Sequence, residues 1–336
     1  MGYAFEKRKR NAKIRFILTV LICLCIPIFC AGAILSAFCP PSAWQYYLNM
    51  PKPGKREDGE LRIHFLDVGQ GDATIVELPD GKTMLIDGGD AASSTENTVL
   101  RYLNALEIDT IDYLLVTHAD SDHCGSLDKV LEFKTVKRAF VPRTTETVND
   151  EYAEFYAALL KEGCEIAYSQ NGIQLGATES ETPYRLSFLS PSAYGEEKTE
   201  EAESNATSAV VWLDYNGVST LFTGDAPKEV EERLVRSDRL GLLDNLGVEL
   251  DSTEILKVAH HGSADSTSSD FLSYLHVRTA VISCGENNVY GHPTAEVLVA
   301  LTANGTDVYR TDLQGGVIVS VSKGSGKWSV QTYGKA

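Results

Sequence analysis

The sequence predicts an α/β protein in which two sheets pack face to face with helices outside, preceded by one apolar membrane-crossing segment. Three observations carry this. Short apolar runs with strand character alternate with turn signals through two successive halves, and each half also contains stretches of helical spacing. His and Asp residues recur directly after apolar runs, which puts them on loops at the end of a sheet. A 23-residue stretch, 16–38, holds no charged residue and is long enough to cross the roughly 30 Å hydrocarbon layer as a helix.

The 336 residues suffice for one or two domains with substantial cores. Residues 1–15 form a basic cytoplasmic segment, 16–38 the anchor, 39–60 a linker rich in Pro, Gly and charge, and 61–336 one globular domain. Basic residues in front of the apolar run should stay cytoplasmic, so the expected arrangement is a single-pass cell-membrane protein with its domain extracytoplasmic. The competing reading is a cleaved signal peptide and a secreted domain. The formal net charge is −17. Six of the 30 Lys and Arg precede residue 16 against one acid, leaving 24 basic and 46 acidic residues beyond it. A surface of that balance excludes broad nucleic-acid binding through a basic face. Seven sparse cysteines, four of them in or beside the apolar run, make no disulfide framework.

In chain order, strands are expected at 61–68, 73–78, 83–86, 112–117 and 136–141, with helices at 96–106, 126–133 and 150–162. Gly69-Gln70-Gly71-Asp72 makes a tight turn, and Pro79-Asp80-Gly81-Lys82 a hairpin turn. Strands and turns then alternate to Ser190, and the acidic run 195–205 reads as an exposed loop. Strands at 209–215 and 219–223 join through Asn216-Gly217, a strong hairpin signal. A charged amphipathic helix follows at 228–240. The remaining strands fall at 255–259, 279–283, 307–309, 317–321 and 328–332, with helices at 271–275 and 294–303.

The stretch Thr117-His118-Ala119-Asp120-Ser121-Asp122-His123 packs four potential metal ligands into six residues, directly after an apolar strand. His118 and Asp120 sit two apart, so an extended chain points them the same way. Asp122 and His123 follow as the chain turns. Five of the seven histidines fall in three places, namely His118 with His123, His260 with His261, and His292. Asp87 and Asp225 also end apolar strands, each beside a glycine. A site for one or two divalent cations explains this recurrence. Imidazole and carboxylate donors suit Zn or Mn, and such a pair of metals clamps a phosphoryl or carbonyl group and activates water.

Taken in order, FLDVGQGDA (65–73), LIDGG (85–89), THADSDHCG (117–125), LFTGDA (221–226), LKVAHHGS (256–263), YGHP (290–293) and VYRTD (308–312) resemble the metallo-β-lactamase-fold hydrolases. More narrowly, they resemble the soluble β-lactamase-like domain of the ComEC/Rec2 competence proteins. The resemblance implies a four-layer αββα sandwich with metals at the open edge between the sheets. By correspondence, His118, Asp120, Asp122 and His123 are metal ligands and Asp225 the bridging carboxylate. His260 is the late ligand, and His261 a second ligand or proton donor; which of the two faces the metal stays open. Asp122 is alternatively the base that orients water. Asp120 stands where the wider superfamily has His. The region that carries a third-motif His in many members reads Asn205-Ala206-Thr207-Ser208, so Asn205 and Ser208 become substrate-contact or turn residues. Asp87 orients the ligand loop. Asp67 and Asp72 line the floor or stabilise the turn, and Ser263 is a supporting residue. His292 contacts a substrate phosphate or starts a helix, while His64 and His276 are structural.

The function expected is a membrane-anchored extracytoplasmic hydrolase using metal-activated water on phosphodiesters, DNA among them. Two alternatives stand beside it: acyl or lactam hydrolysis on the same fold, and a non-catalytic binding domain with a vestigial site.

Overall fold

A computed structural model of the chain describes residues 19–27, 46–47, 51–144, 148–176, 182–192 and 204–334. The basic segment 1–15 and nearly all of the acidic run 195–205 lie outside the described residues, as does most of the apolar segment 16–38. Residues 19–27 of that segment are helical. No helix among the described residues is long and apolar enough to cross a membrane. The chain divides into two compact units, Met1–Met50 and Pro51–Ala336. In the second unit, part of the expected linker is fixed: Arg56 Nη1 donates to Leu78 O at 2.8 Å, and Arg62 Nη1 to Gly54 O at 2.5 Å.

The second unit is a sandwich of two sheets. The first contains β1 (Leu61–Phe65), β2 (Thr74–Glu77), β3 (Thr83–Ile86), β4 (Thr110–Leu115), β5 (Thr135–Val141) and β6 (Glu165–Tyr168). The second contains β7 (Gln174–Gly176), β8 (Tyr184–Ser190), β9 (Val210–Tyr215), β10 (Val218–Phe222), β11 (Ile255–Lys257), β12 (Thr279–Ile282) and β13 (Asp307–Arg310). Finally, β14 (Gly315–Val321) and β15 (Trp328–Gly334) return to the first sheet beside β1. The strand orders are β15-β14-β1-β2-β3-β4-β5-β6 and β13-β12-β11-β10-β9-β8-β7.

Period-2 side chains build the layer between the sheets. Leu61, Ile63 and Phe65 of β1, Met84 and Ile86 of β3 and Phe140 of β5 meet Leu186 and Phe188 of β8, Val211 and Leu213 of β9, and Phe222 of β10. The opposite face of the second sheet packs Trp212, Leu221, Leu256 and Ile282 against Val230, Leu234, Phe271, Leu272, Val297 and Leu301. These last six lie on the helices Lys228–Arg239, Ser269–Leu275 and Ala295–Ala303. The helices Ser93–Ala105, Leu127–Phe133 and Asp150–Glu162 are the crossovers of parallel β3-β4-β5-β6. Because the second sheet covers one face of that block, they cover the other, and Val99, Leu103, Val130, Phe155 and Leu159 are fully buried. Helices therefore lie outside both sheets, as the sequence predicts.

Two boundaries move for reasons that bear on the site. The fourth strand stops at Leu115 because Thr117 N turns from the ladder to the Asp87 carboxylate, at 2.8 Å. The eleventh stops at Lys257 because the backbone becomes left-handed at His260 and His261, φ 49 and 54. His64 and His276 serve the fold. His64 bridges Tyr102 Oη and Glu77 Oε2, each at 2.9 Å, and His276 ends a helix in left-handed geometry. Burial lowers the His64 pKa despite the raising effect of Glu77.

Asn149 couples a helix to the ligand loop. Its Oδ1 accepts from Tyr152 N at the start of Asp150–Glu162, and its Nδ2 donates to Ala119 O, both at 2.7 Å. Asn149→Ala should cost about 1–2 kcal/mol in denaturant unfolding, the loss of one cap and one tether; an unchanged midpoint would contradict this role.

Candidate metal centre

Parallel strands deliver their carboxyl ends to one edge of a sheet, where ligand loops collect. Here two parallel blocks do so together, and the loops after β4, β10, β11 and β12 converge between them. Asp225, at 2% exposure, lies at the centre. Its Oδ1 is 3.2 Å from His123 Nε2. Its Oδ2 is 3.6 Å from His261 Nε2, 3.7 Å from His260 Nε2 and 3.9 Å from His118 Nε2.

Four sets of donors converge here among the described residues, the ligand atoms within each lying within 4.8 Å of one another. The first is His118, His123 and Asp225 and the second Asp122, His123 and His261; Asp72 joins Asp225 and His261 in a third, and Asp87 and His123 in a fourth. Asp120 Oδ2 stands 3.5 Å from His118 Nε2, beside the first. Asp122 Oδ2 stands 3.2 Å from His261 Nε2, inside the second.

Among the described residues, the Nε2 atoms of His118, His123 and His261 and the Oδ1 of Asp225 are buried without a hydrogen-bond partner. Each such atom costs about 1–3 kcal/mol when left unsatisfied. Three imidazole nitrogens and a carboxylate oxygen aimed at one another and away from the rest of the protein fit a divalent cation. The oxygen-rich set, with Asp at 120 and 122, suits Zn or Mn alike.

The opposite ring edges are fixed. His123 Nδ1 meets Asp87 Oδ2 at 2.8 Å, and His261 Nδ1 meets Ser283 O at 2.9 Å. His118 Nδ1 lies 3.0 Å from Thr117 Oγ1, which itself donates to Asp87 Oδ2 at 2.8 Å. Asp87 thus holds His123 directly and His118 through Thr117, as expected of a group that orients metal-binding histidines. It does so from left-handed backbone, φ 58, a conformation Asp tolerates better than most residues.

The His-His-Gly bend sorts its two histidines. His260 and His261 are successive non-glycine residues at positive φ, each costing on the order of 1–2 kcal/mol. The bend turns His261 into the buried cluster and leaves the His260 side chain 27% exposed on the rim. Both remain within 4 Å of Asp225 Oδ2, but only His261 belongs to a converging ligand set among the described residues. Gly262, at φ 86, completes the bend, and a Cβ there would stand 2.5 Å from Pro293 Cβ. Gly71 is constrained similarly, since its Cβ would lie 2.4 Å from Asp122 O.

The other sequence candidates separate. Asp72 is buried, with Oδ2 2.7 Å from Lys257 Nζ and Oδ1 3.6 Å from His261 Nδ1, so it forms part of the floor. Asp67 Oδ1 instead accepts from Gly69 N at 3.4 Å within its own turn. Ser208 Oγ accepts from Asp225 N at 3.2 Å, and Asn205 Oδ1 is buried without a partner. Ser263 braces the bend, with its N donating to His260 O at 2.8 Å and its Oγ accepting from Asp265 N. The His292 ring lies edge-on to His260 at 5.5 Å, its Nδ1 buried and unpartnered. Cys124 is fully buried, its thiol donates to Ala119 O at 3.6 Å, and it belongs to none of the converging ligand sets among the described residues.

Sequence patterns do not single out Thr117, Ser204, Lys257 or Ser283. Ser204 hydrogen-bonds to Asp120. Lys257, 3% exposed, pairs with Asp72 beneath the site and donates to Val258 O at 2.9 Å. Its signal in the sequence is a lone charge inside an apolar strand; the hydroxyls carry none.

Charge in the cluster is balanced internally. Burial alone would lower the His123 imidazole, but Asp225 and Asp87 hold it well above its ordinary value. Burial is likewise overruled at His261 by Asp225 and Asp122, which raise it. Burial would raise Asp225, yet His123 and His261 keep it well below the carboxylate range. Asp122 is lowered through His261 and His123, and Asp120 through His118, each against its own burial.

Residues 66–286 match the family described as the Metallo-beta-lactamase superfamily. The chain is 30% identical to ComE operon protein 3 of Bacillus subtilis over 81% of its own length and 34% of that protein's. It is 28% identical to Competence protein ComA of Neisseria gonorrhoeae, over 82% of its length and 34% of the relative's. Endoribonuclease ysh-1 of Neurospora crassa is 22% identical over 55% of the chain and 23% of the relative. The chain therefore spans about a third of the competence proteins it matches. Among solved structures, CmlA beta-hydroxylase E377D mutant aligns over 80% of this chain and 55% of its own with TM-score 0.50 at 13% identity, a likeness of fold.

Asp87→Asn keeps the shape but removes the charge behind His123. It should lower Mn²⁺ or Zn²⁺ affinity about 10–100-fold by calorimetry; wild-type affinity would contradict the orienting role. A second expectation concerns pH. The raised His123 and His261 contribute stability that is complete below about 6.5 and lost as pH rises through their folded values. The depressed Asp120, Asp122 and Asp225 contribute stability present above 3.8 and lost as pH falls through theirs. The melting temperature of chelated protein should therefore fall from mildly acidic toward alkaline pH. Saturating metal should reverse that fall by replacing the protons; a flat profile in both forms would refute the charge balance.

Proposed function

The chain belongs to the Metallo-beta-lactamase superfamily, and from that premise we propose that it is a metal-dependent phosphodiesterase of the nuclease type. The observation that carries this is Asp225, whose Oδ1 faces His123 and whose Oδ2 faces His261, so that it joins one converging donor set with His118 and His123 and another with Asp72 and His261. Such a site suits an in-line displacement in which attacking and leaving oxygens both need stabilisation. Competence proteins and endoribonucleases among the relatives favour a nucleic-acid phosphodiester over a lactam. The residues of the Asn205 region carry no His, and the buried, unpaired Asn205 Oδ1 is an acceptor for substrate or a bridging water.

Divalent cations, when bound, supply Lewis acidity that lowers the pKa of water and polarises a phosphoryl oxygen. His118, His123, Asp225, Asp122 and His261 would hold them, with Asp120 and His260 at the margins. Asp122 would either hold a cation or, kept ionised by His261 and His123, accept a hydrogen bond from the attacking water and so orient it. His260 and His292 line the rim. Burial and the neighbouring His260 lower the His292 pKa, so at neutral pH it is an uncharged imidazole that hydrogen-bonds a phosphate oxygen. Asp87, Thr117 and Ser283 fix the tautomers and ring planes behind the ligands.

We place the domain outside the cell, held to the membrane by residues 16–38, on the strength of that uncharged run and the basic residues before it.

The purified protein should cleave a generic phosphodiester and linear single-stranded DNA when given Mn²⁺ or Zn²⁺, and leave a chromogenic β-lactam intact. Asp122→Ala should reduce kcat at least 10²-fold with the fold retained by circular dichroism. Lactam turnover without diester turnover would overturn the substrate class.

A further inference from the structure

The loop between β12 and the helix Ala295–Ala303 projects from the rim of the metal centre and exposes its apolar side chains. Val289 is 92% and Tyr290 66% exposed. Single exposed apolar residues are ordinary, but the loop that carries Tyr290 is held in place. Asn288 Nδ2 donates to Gly285 O at 2.9 Å and to His292 O at 2.6 Å, and Asn288 Oδ1 accepts from His292 N at 3.0 Å. Gly285 N in turn donates to Gln70 Oε1 at 3.1 Å, tying the loop to the glycine turn after β1.

The rings form a line leading out of the site. Tyr290 stacks on His292 with centroids 5.8 Å apart and planes 25° from parallel. His292 meets His260 edge-on, and His260 Nε2 faces Asp225 Oδ2. A phosphodiester held at the cations would therefore bring its neighbouring nucleoside to this aromatic face. A pre-positioned ring loses little entropy when a ligand stacks on it. The charge of the chain adds a second argument. Beyond residue 15 it carries 46 acidic against 24 basic residues, so broad attraction of the phosphate backbone to the domain is disfavoured. Contacts to the bases beside the cations would supply affinity that net charge does not.

We propose that Tyr290 is the stacking platform for the nucleobase adjoining the scissile phosphodiester, which makes the substrate single-stranded nucleic acid. This rests on the phosphodiesterase reading above. A base inside a duplex has no free face to offer, whereas an unpaired base of any identity does. Tyr290 accordingly selects for single strands without selecting sequence.

The test uses the full chain with Mn²⁺ and two fluorescent strands of equal length and charge, one bearing normal bases and one abasic throughout. Binding is followed by anisotropy and cleavage by gel. Wild type should bind the base-bearing strand roughly tenfold more tightly than the abasic one. Tyr290→Ala should lose that advantage, binding both strands as wild type binds the abasic strand, while Tyr290→Phe keeps it. Equal melting temperatures would show that the exposed position does not affect folding. Tyr290→Ala retaining the full preference for bases, or weakening the abasic strand equally, would overturn the platform. Absence of binding and cleavage of either strand by metal-loaded wild type is a different result, and it would sink the phosphodiesterase reading together with the platform.

Discussion

A buried carboxylate surrounded by imidazoles is the constraint from which the rest of the site follows. Asp225 is almost wholly withdrawn from water and has four imidazole Nε2 atoms within 4 Å. An isolated buried carboxylate would be driven to its neutral form, whereas here His123 and His261 keep it ionised and are themselves pushed toward protonation. Protons on histidine and divalent cations are thus alternative ways of balancing one cluster of negative charge. This exchange links metal affinity, pH and stability in one site.

Holding the charges in place requires a scaffold that resists their rearrangement. The strand ends supply it, and so does strained backbone. Asp87, His260 and His261 all adopt left-handed geometry that their side chains disfavour, a strain that sheets on both sides are needed to sustain. Behind the ligands, Asp87 and Ser283 O fix the far ring nitrogens of His123 and His261. Beneath them, the Lys257–Asp72 pair occupies the floor. A buried pair of this kind adds little net stability, but loss of either partner leaves an uncompensated charge, so it fixes where the floor carboxylate can point.

Much of this was legible in the sequence because it is written in periodicity and in recurrence. The apolar alternation of β1, the apolar runs of β9 and β10 and the Asn216-Gly217 turn announce a sheet, and the 150–162 helix falls at the expected limits. The placement of His118, Asp122 and His123 after a strand announces members of the converging donor sets, with Asp120 beside them. What could not be read is what depends on backbone direction or on partners far away in the chain. Adjacent histidines are equivalent as text; only the left-handed bend separates inward His261 from rim-facing His260. Asp67 and Asp72 share one motif, yet one closes its own turn and the other meets Lys257 from a different sheet. Thr117 and Ser204 act through single hydroxyl contacts that no spacing encodes.

The acidity of the domain and the basic chemistry of its centre are complementary rather than contradictory. In the proposed reading, a net negative domain leaves the cations, the rim histidines and an exposed aromatic ring as the means of holding a nucleic acid. The most direct measurement is anomalous diffraction from crystals grown with Mn²⁺ or Zn²⁺. Peaks at roughly 2.0–2.3 Å from His123 Nε2 and Asp225, with His118 and His261 completing the sets, would uphold the account. Anomalous density confined to surface carboxylates, with the Asp225 cluster bearing none at saturating metal, would contradict it.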